Sequence, residues 1–267
     1  MRLLSFNPYR SLGLPAVRYI KPEHLLRHRD EIQAADWVLF PETWQVNALL
    51  YALKARIFPS PASYYVGYNK VEMTRAIDAL VPAHLPRTLI LPATDAAVAQ
   101  VVEELCFPLV LKEPRNSMGR GIFLVESRAD LADHARRLEV LYVQEYLPLE
   151  ADLRVVYVGD RVVTAYWRRG GDGFHHNIAA GAEADFADVP EAAVALAERI
   201  ARELGINYAG FDIAMVGGHP YFLELNLFFG YAALKPRAIR LAPILLDYLE
   251  RLACHGHEPP RPAAVGF

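Results

Sequence analysis

Residues 208–227 read YAGFDIAMVGGHPYFLELNL, two apolar and aromatic runs, Tyr208 to Val216 and Tyr221 to Leu227, on either side of Gly217-Gly218-His219-Pro220. Glycines between such runs predict a β-hairpin. Pairing symmetrical about Gly218 sets Asp212 directly across from Glu224. Asn226 joins the same face, because side chains two apart on a strand point the same way. Two carboxylates opposed within apolar strands are costly unless they are solvated, share a proton or hold a cation. Magnesium suits three such oxygen-bearing side chains, since it takes a few carboxylate and carbonyl oxygens and leaves positions for phosphate and water. Asp212, Glu224 and Asn226 are therefore the candidate metal ligands.

Upstream, Leu153 to Val158 and Arg161 to Trp167 flank Gly159-Asp160 and predict a second hairpin, with a helix from Pro190 to Leu204 between the two. A two-residue turn pairs Arg154 with Ala165 and Asp152 with Trp167, which puts Asp152, Arg154, Trp167 and Arg169 on one face. Guanidiniums beside a carboxylate form an ion-pair network when exposed; beside a phosphate they clamp a transferring phosphoryl group. Before this hairpin comes an α+β module: strand Thr88 to Leu91, helix Asp95 to Leu105, strand Leu109 to Lys112, a loop from Glu113 to Gly121, strand Ile122 to Val125, helix Arg128 to Leu138 and strand Leu141 to Glu145. Lys112 ends its strand beside Arg115, Asn116, Ser117, Met118, Gly119, Arg120 and Gly121, where small residues let backbone N–H groups approach an anion.

The first sixty residues alternate short apolar runs and helical patterns, Arg2 to Phe6, Pro22 to Ala34, Trp37 to Phe40 and Val46 to Ala55, which read as a small α/β unit. Pro59, Pro61 and Gly67 punctuate a connector, and a helix follows from Lys70 to Leu80. A last helix runs from about Ala238 to Cys254, with Pro259, Pro260 and Pro262 after it. Of the 267 residues 53% are hydrophobic, enough for one large domain or several small cores. With 28 basic against 31 acidic residues there is no global field to hold nucleic acid or an anionic membrane. Neither a membrane span nor a secretory leader is expected. Two distant cysteines, Cys106 and Cys254, form no disulfide framework, so a reduced, cytoplasmic protein is expected. Neither a P-loop, a nucleophile elbow, a zinc-protease helix nor a dinucleotide glycine triplet is present. His255, His257 and Glu258 in the Pro-rich tail read as solvated.

Taken in order, these pieces resemble the ATP-grasp superfamily, and within it the RimK-type carboxylate–amine ligases. The resemblance runs from about Asn69 to Leu252. It rests on Asn69-Lys70 before Pro86-Arg87-Thr88; on Pro108 to Lys112 with Ser117 to Gly121; on Val143 to Leu147; on Asp152-Leu-Arg154; and on Val158-Gly-Asp160. Arg168-Arg169, Phe174 to Asn177, Ala209 to Asp212 and Leu223 to Asn226 complete it. It implies an α+β ATP-grasp fold in which two subdomains, 69–147 and 148–255, grip ATP, preceded by an α/β pre-grasp domain at 1–68 and followed by a loose tail at 256–267.

By the same resemblance Lys70 and Lys112 hold the nucleotide phosphates, and Ser117, Met118, Gly119 and Gly121 form the lid over them. Gln144, Glu145, Tyr146 and Leu147 form the hinge at adenine. Asp152 belongs to the nucleotide pocket, and the stretch from Gln144 to Asp152 is two residues shorter than usual, leaving Glu150 as the ribose contact. Asp212, Glu224 and Asn226 match the ligands of Mg2+, with Mn2+ able to substitute. Arg154, Asn177 and one of Arg168 and Arg169 match the residues near the γ-phosphate; matching favours Arg168, the hairpin register Arg169. His175 or His176 could serve as base for the amine. The implied reaction is ATP-dependent ligation of a small-molecule or peptide carboxylate to an amine, glutamate first, with ADP and phosphate released and a homodimer as the family prior. The alternatives are a nucleotide-binding module without ligation and a glutathione-synthetase-like or natural-product peptide ligase. After Asn226 the usual small-residue turn is replaced by Leu227-Phe228-Phe229-Gly230. Ala179 and Ala180 stand where a basic residue is common. These departures lie on the second-substrate side.

Overall fold

The computed structural model describes residues 1–114, 121–170 and 183–254. Three sheets follow one another along the chain. The first is wholly parallel, in the order β2-β1-β3-β4, from β1 (Leu3–Ser5), β2 (Val17–Tyr19), β3 (Trp37–Leu39) and β4 (Ile57–Phe58). The crossovers carry α1 (Arg29–Ala34), entered through a 3-10 turn at Pro22–His28, and α2 (Thr43–Asn47), which runs on as a π-helical turn at Ala48–Ala52. β1, β3 and β4 are buried throughout, as parallel strands covered by helices are. β2 and β4 are too short to show a period, and the sequence reading missed them. The segment expected as connector forms α3 (Pro61–Gly67), capped by the Ser60 hydroxyl on the Ser63 N–H.

α4 (Lys70–Leu80) follows, capped by Asn69 on the Val71 N–H. The second sheet has the order β5-β8-β6-β7 and is antiparallel, built from β5 (Thr88–Pro92), β6 (Leu109–Lys112), β7 (Ile122–Val125) and β8 (Val140–Glu145). α5 (Asp95–Glu104) and α6 (Arg128–Ala135) bury Val98, Val101 and Leu131 against it. α4 precedes this sheet in sequence, yet it buries Met73 and Ile77, with its C-cap Val81, in the core of the third sheet. α4 thus lies by sequence in the segment 69–147 and by packing in the core of the segment 148–255.

The third sheet has the order β11-β10-β9-β12-β13 and holds both expected hairpins: β9 (Ala151–Val158) with β10 (Arg161–Arg169), and β12 (Tyr208–Val216) with β13 (His219–Asn226). β11 (Glu183–Asp185) adds an edge that the sequence did not announce. α7 (Glu191–Leu204) covers one face with Ala193, Leu196, Ala197 and Ile200 on Leu153, Val155 and Phe211. It stops at Gly205, whose φ of +69° is the left-handed C-cap. On the other face Val156, Val158 and Tyr208 pack on Phe40 and Phe58 of the N-terminal region and on Leu245 and Leu249 of α8 (Leu241–Cys254). That apolar packing covers only half of the face. The other half carries the charged residues.

Candidate active site

Side chains on neighbouring strands share a face when their residues are paired. One row of pairs across the third sheet reads Tyr166, Arg154, Asp212, Glu224, on β10, β9, β12 and β13 in turn. The next row sets Arg168 opposite Asp152. Two bulges fix this arrangement. Val163 is unpaired between Val162 and Thr164, so Arg168 and not Trp167 faces Asp152; the register expected from the turn alone is off by one residue. Leu223 is unpaired between Phe222 and Glu224. The two-residue turn at Gly217-Gly218, by itself, would have set Asp212 against Leu223; the bulge restores Glu224.

In this register Arg169 stands off the charged row. It is exposed, pairs with Asp185 at 3.0 Å and lies over the Trp167 ring. Arg168 is buried and donates to Asp152 (Nε to Oδ1, 2.6 Å), with its Nη2 also 3.1 Å from Asp212 Oδ2. Arg154 donates to Asp212 from Nε at 2.5 Å and from Nη2 at 3.1 Å. Asn226 Nδ2 donates to the same carboxylate at 3.0 Å. Burial pushes the Asp212 carboxyl up, but Arg154 and Arg168 outweigh it and hold the pKa below the usual carboxylate range. Burial likewise opposes the charge on Arg168, and Asp212 and Asp152 overcome it. Asp152, placed by resemblance in the nucleotide pocket, spends its carboxylate on orienting Arg168.

Glu224 has its own cation. Lys70 Nζ lies 3.1 Å from Glu224 Oε1, and Lys70 is buried at the start of α4. The expected repulsion between Asp212 and Glu224 is thus relieved by three cationic groups within the protein. Lys112, at the end of β6, is buried 5.7 Å over the Tyr142 ring. Burial lowers its pKa to about 8; Glu224 and Asp212 resist the shift and Lys70 adds to it. Tyr142, which sequence reasoning missed, also hydrogen-bonds Thr74 of α4 at 2.7 Å and so ties the second sheet to that helix. Its place two residues before Gln144 on β8, on the same face, was the available signal.

Gln144 is buried and donates to Thr88 Oγ1 at 2.8 Å. Glu145 accepts from the Arg87 N–H at 2.8 Å, and with Tyr146 it lines a cleft shared with Arg87, Glu104, Cys106 and Pro108. Tyr146 and Leu147 follow β8 as irregular chain, and Glu150 is exposed just before β9. Gly121 closes the β6–β7 loop with φ +71°, its carbonyl accepting from the Glu113 N–H at 2.7 Å. Ser117, Met118, Gly119, His175, His176, Asn177 and the tail lie outside the described residues.

Among the described residues, four cationic side chains, Lys70, Lys112, Arg154 and Arg168, thus face three carboxylates, Asp152, Asp212 and Glu224, an excess of one positive charge in that set. Asn226 keeps its carbonyl oxygen beyond its bond to Asp212. That oxygen and the carboxylates of Asp212 and Glu224 are hard donors of the kind magnesium takes, and a bound phosphate would supply the rest. Among the described residues no group of three or more His, Cys, Asp and Glu gathers to hold a metal unaided.

The RimK-like ATP-grasp domain model matches residues 72–249. A probable alpha-L-glutamate ligase of Enterobacter sp. (strain 638) is 33% identical over 159 residues, 56% of this chain and 53% of its own length. The chain spans about half the length of the curated relatives it matches first. Among solved structures, a RimK domain ATP-grasp protein of Sphaerobacter thermophilus superposes with a TM-score of 0.67 at 18% identity, covering 93% of this chain and 99% of that one. A D-alanine–D-alanine ligase of Bacillus anthracis gives 0.72 at 14%, covering 96% and 98%. At these identities the structural likeness establishes the ATP-grasp fold. The domain match, which spans every charged residue of the site but Lys70, carries the assignment further: the chain belongs to the RimK-like ATP-grasp family.

Proposed function

We propose that the protein is an ATP-dependent carboxylate–amine ligase. The observation that carries this reading is the charge balance of the buried site among the described residues, four cationic side chains to three carboxylates, with Asp212, Glu224 and Asn226 offering hard oxygens, which suits a metal-bound polyphosphate. A substrate carboxylate oxygen attacks the γ-phosphorus of ATP; the bond to the bridging oxygen of ADP breaks, and an acyl phosphate forms. The amine then attacks the acyl carbon, loses a proton and expels phosphate, leaving an amide.

Lys70 and Lys112 hold the phosphate tail. Arg154 and Arg168 neutralise the acyl phosphate and the oxyanion that follows it, with Asp152 keeping Arg168 in place. Asp212, Glu224 and Asn226 would hold a divalent cation, magnesium or manganese, which supplies charge neutralisation on the phosphate oxygens. Glutamate is the first amine to try, since the relatives' printed names contain it.

Hydroxylamine tests the reading directly, because it traps an activated acid as a hydroxamate. With MgATP and a panel of carboxylic acids, hydroxamate should form, and Arg154→Ala should suppress it by about a hundredfold or more while weakening ATP binding far less. Tight MgATP binding with neither ADP nor hydroxamate across the panel would replace the ligase by a nucleotide-binding module.

A further inference from the structure

Three cations of the charged face bond carboxylates: Lys70 to Glu224, Arg154 to Asp212 and Arg168 to Asp152. Arg10, in the N-terminal region, bonds none among the described residues. Its Nη1 donates to the Tyr208 and Tyr231 hydroxyls, both at 3.1 Å, and its Nη2 donates once, to the Phe229 carbonyl at 3.2 Å. A guanidinium has five N–H donors, so the Nε hydrogen and the second Nη2 hydrogen are left without a partner among the described residues. The group is half-buried, 4.7 Å from the Phe228 ring centre and 5.1 Å from that of Tyr231. Three neutral acceptors and two rings fix its direction, and none of them cancels its charge.

Arg10 stands on the same face of the third sheet as the charged rows. Ala209, Phe211 and Ile213 lie in the core under α7, so Tyr208, Gly210 and Asp212 point the other way. Along that face β12 runs from Asp212, where the arginines pair, through Gly210 to Tyr208, which Arg10 bonds. A Cβ added at Gly210 would stand 2.9 Å from Arg154 Cδ, 3.1 Å from Arg154 Nη1 and 3.0 Å from Phe229 Cβ. Phe229 is thus a neighbour of both arginines, of Arg10 through its carbonyl and of Arg154 through its Cβ. Arg154 spends Nε and Nη2 on Asp212, and its Nη1 has no partner among the described residues. Only two residues of strand, about 7 Å, separate the position under Arg154 Nη1 from the one that Arg10 bonds. A charge drawn partly out of water with no counter-charge is costly, and a carboxylate meeting the unspent donors offsets that cost.

Resting on the ligase reading, in which Arg154 takes the reacting acyl group, we propose that Arg10 receives a second, unreacting carboxylate of the same acid. The acid substrate is then a small dicarboxylate, free or as an acidic amino acid, and Arg10 is the residue that selects it.

The test uses the full chain with magnesium and a non-hydrolysable ATP analogue, into which glutarate, adipate and L-glutamate are titrated calorimetrically, each beside its monoamides. At least one diacid should bind about tenfold or more tighter than its monoamides, the share of a charge-assisted hydrogen bond. Arg10→Met should bring that diacid down to the affinity of its monoamides. Arg10→Lys, a point charge in place of a fork, should keep only part of the preference. Both should leave affinity for the ATP analogue unchanged. Equal affinity for diacids and monoamides, no diacid binding, or a preference that survives Arg10→Met would overturn the proposal. Where Arg10→Met does not fold, an undiminished preference in Arg10→Lys overturns it. Loss of ATP-analogue affinity in step with diacid affinity would show a structural arginine and overturn it too. Hydroxamate formation with MgATP, hydroxylamine and the same acids separates the two readings. Hydroxamate formed equally from diacids and monoamides leaves the ligase standing and the role of Arg10 wrong. Diacid binding that depends on Arg10, with neither ADP nor hydroxamate, leaves the carboxylate site standing and the ligase wrong.

Discussion

The two hairpins of the third sheet are built alike and were legible to different degrees. Each has a tight glycine turn, Gly159-Asp160 in β9–β10 and Gly217-Gly218 in β12–β13, with Gly159, Gly217 and Gly218 all at positive φ. Each has one unpaired residue between the turn and the charged pairs, Val163 in one and Leu223 in the other. In β12–β13, pairing symmetrical about Gly218 reaches the right partners because it misplaces the turn by the same one residue that the bulge then shifts. In β9–β10 the turn is placed correctly and the bulge is not, so Trp167 and Arg169 take the face that belongs to Tyr166 and Arg168. Turn chemistry is local and shows in the sequence. A bulge is set by what the far end of the strand must pack against, and no single residue announces it.

The strongest way to break this comparison is to shift a strand. Inserting one alanine between Ala165 and Tyr166 turns Tyr166 and Arg168 to the other face of β10. The loss should exceed about 5 kcal/mol, the lower end of a whole domain's stability, and abolish the cooperative urea transition. Deleting the unpaired Val163 instead leaves Tyr166 opposite Arg154 and Arg168 opposite Asp152, and should be much the milder change. Equal losses from the two would show that register is not what holds the charged face.

Neighbouring arginines give the next largest contrast. Arg168→Ala strands Asp152 in the buried network and should cost about 3–5 kcal/mol in denaturant unfolding. Arg169→Ala should leave the midpoint in place, since its pair with Asp185 is exposed. Equal effects would contradict the bulge.

Glu224→Gln sharpens the comparison across β12–β13. Opposed carboxylates alone would make this change neutral or stabilising; with Lys70 on Glu224 it should instead cost about 1–2 kcal/mol in the nucleotide-free protein. Asp212→Asn, which deprives two arginines, should cost more. The ranking, measured by urea unfolding, is the prediction.

The smallest effect is a pH dependence from Lys112. Its pKa is about 8 in the folded protein against 10.5 for an ordinary lysine, so between those values the unfolded chain holds the extra proton. Stability of the nucleotide-free protein should therefore rise with pH across that interval, and Lys112→Met should lack that increment. Affinity for ATP should move the other way, falling as pH passes about 8 and the ammonium is lost. Thermal midpoints and ATP titrations of both proteins at about pH 7 and about pH 9 check both signs.

Beyond the hairpins, legibility follows length and context. α4, α5, α7 and the longer strands declare themselves by period and caps, whereas β2, β4 and β11 have two or three residues and no pattern to read. Asp212, Glu224, Lys112 and Arg154 could be named because charge in apolar strands is conspicuous. Their partnerships could not: Lys70 reaches Glu224 across 154 positions of chain, and Asp152 turns out to serve Arg168. Arg10, near the N-terminus, is bonded to Tyr208 and Tyr231, and nothing local to it in the sequence marks that role.

Asp152, Arg168, Asp212 and Arg154 form a row in which every contact joins opposite signs. Entry into such a row is an exchange of partners. A divalent cation arriving alone at Asp212 would leave Arg154 without its carboxylate and Arg168 with Asp152 only, and a phosphate arriving alone at the guanidiniums would leave Asp212 without its cations. When the two arrive together, the phosphate takes the arginines, the cation takes the aspartate, and no charge is abandoned. On the proposed reading the row would act as a coincidence detector, taking up the pair more readily than either ion singly.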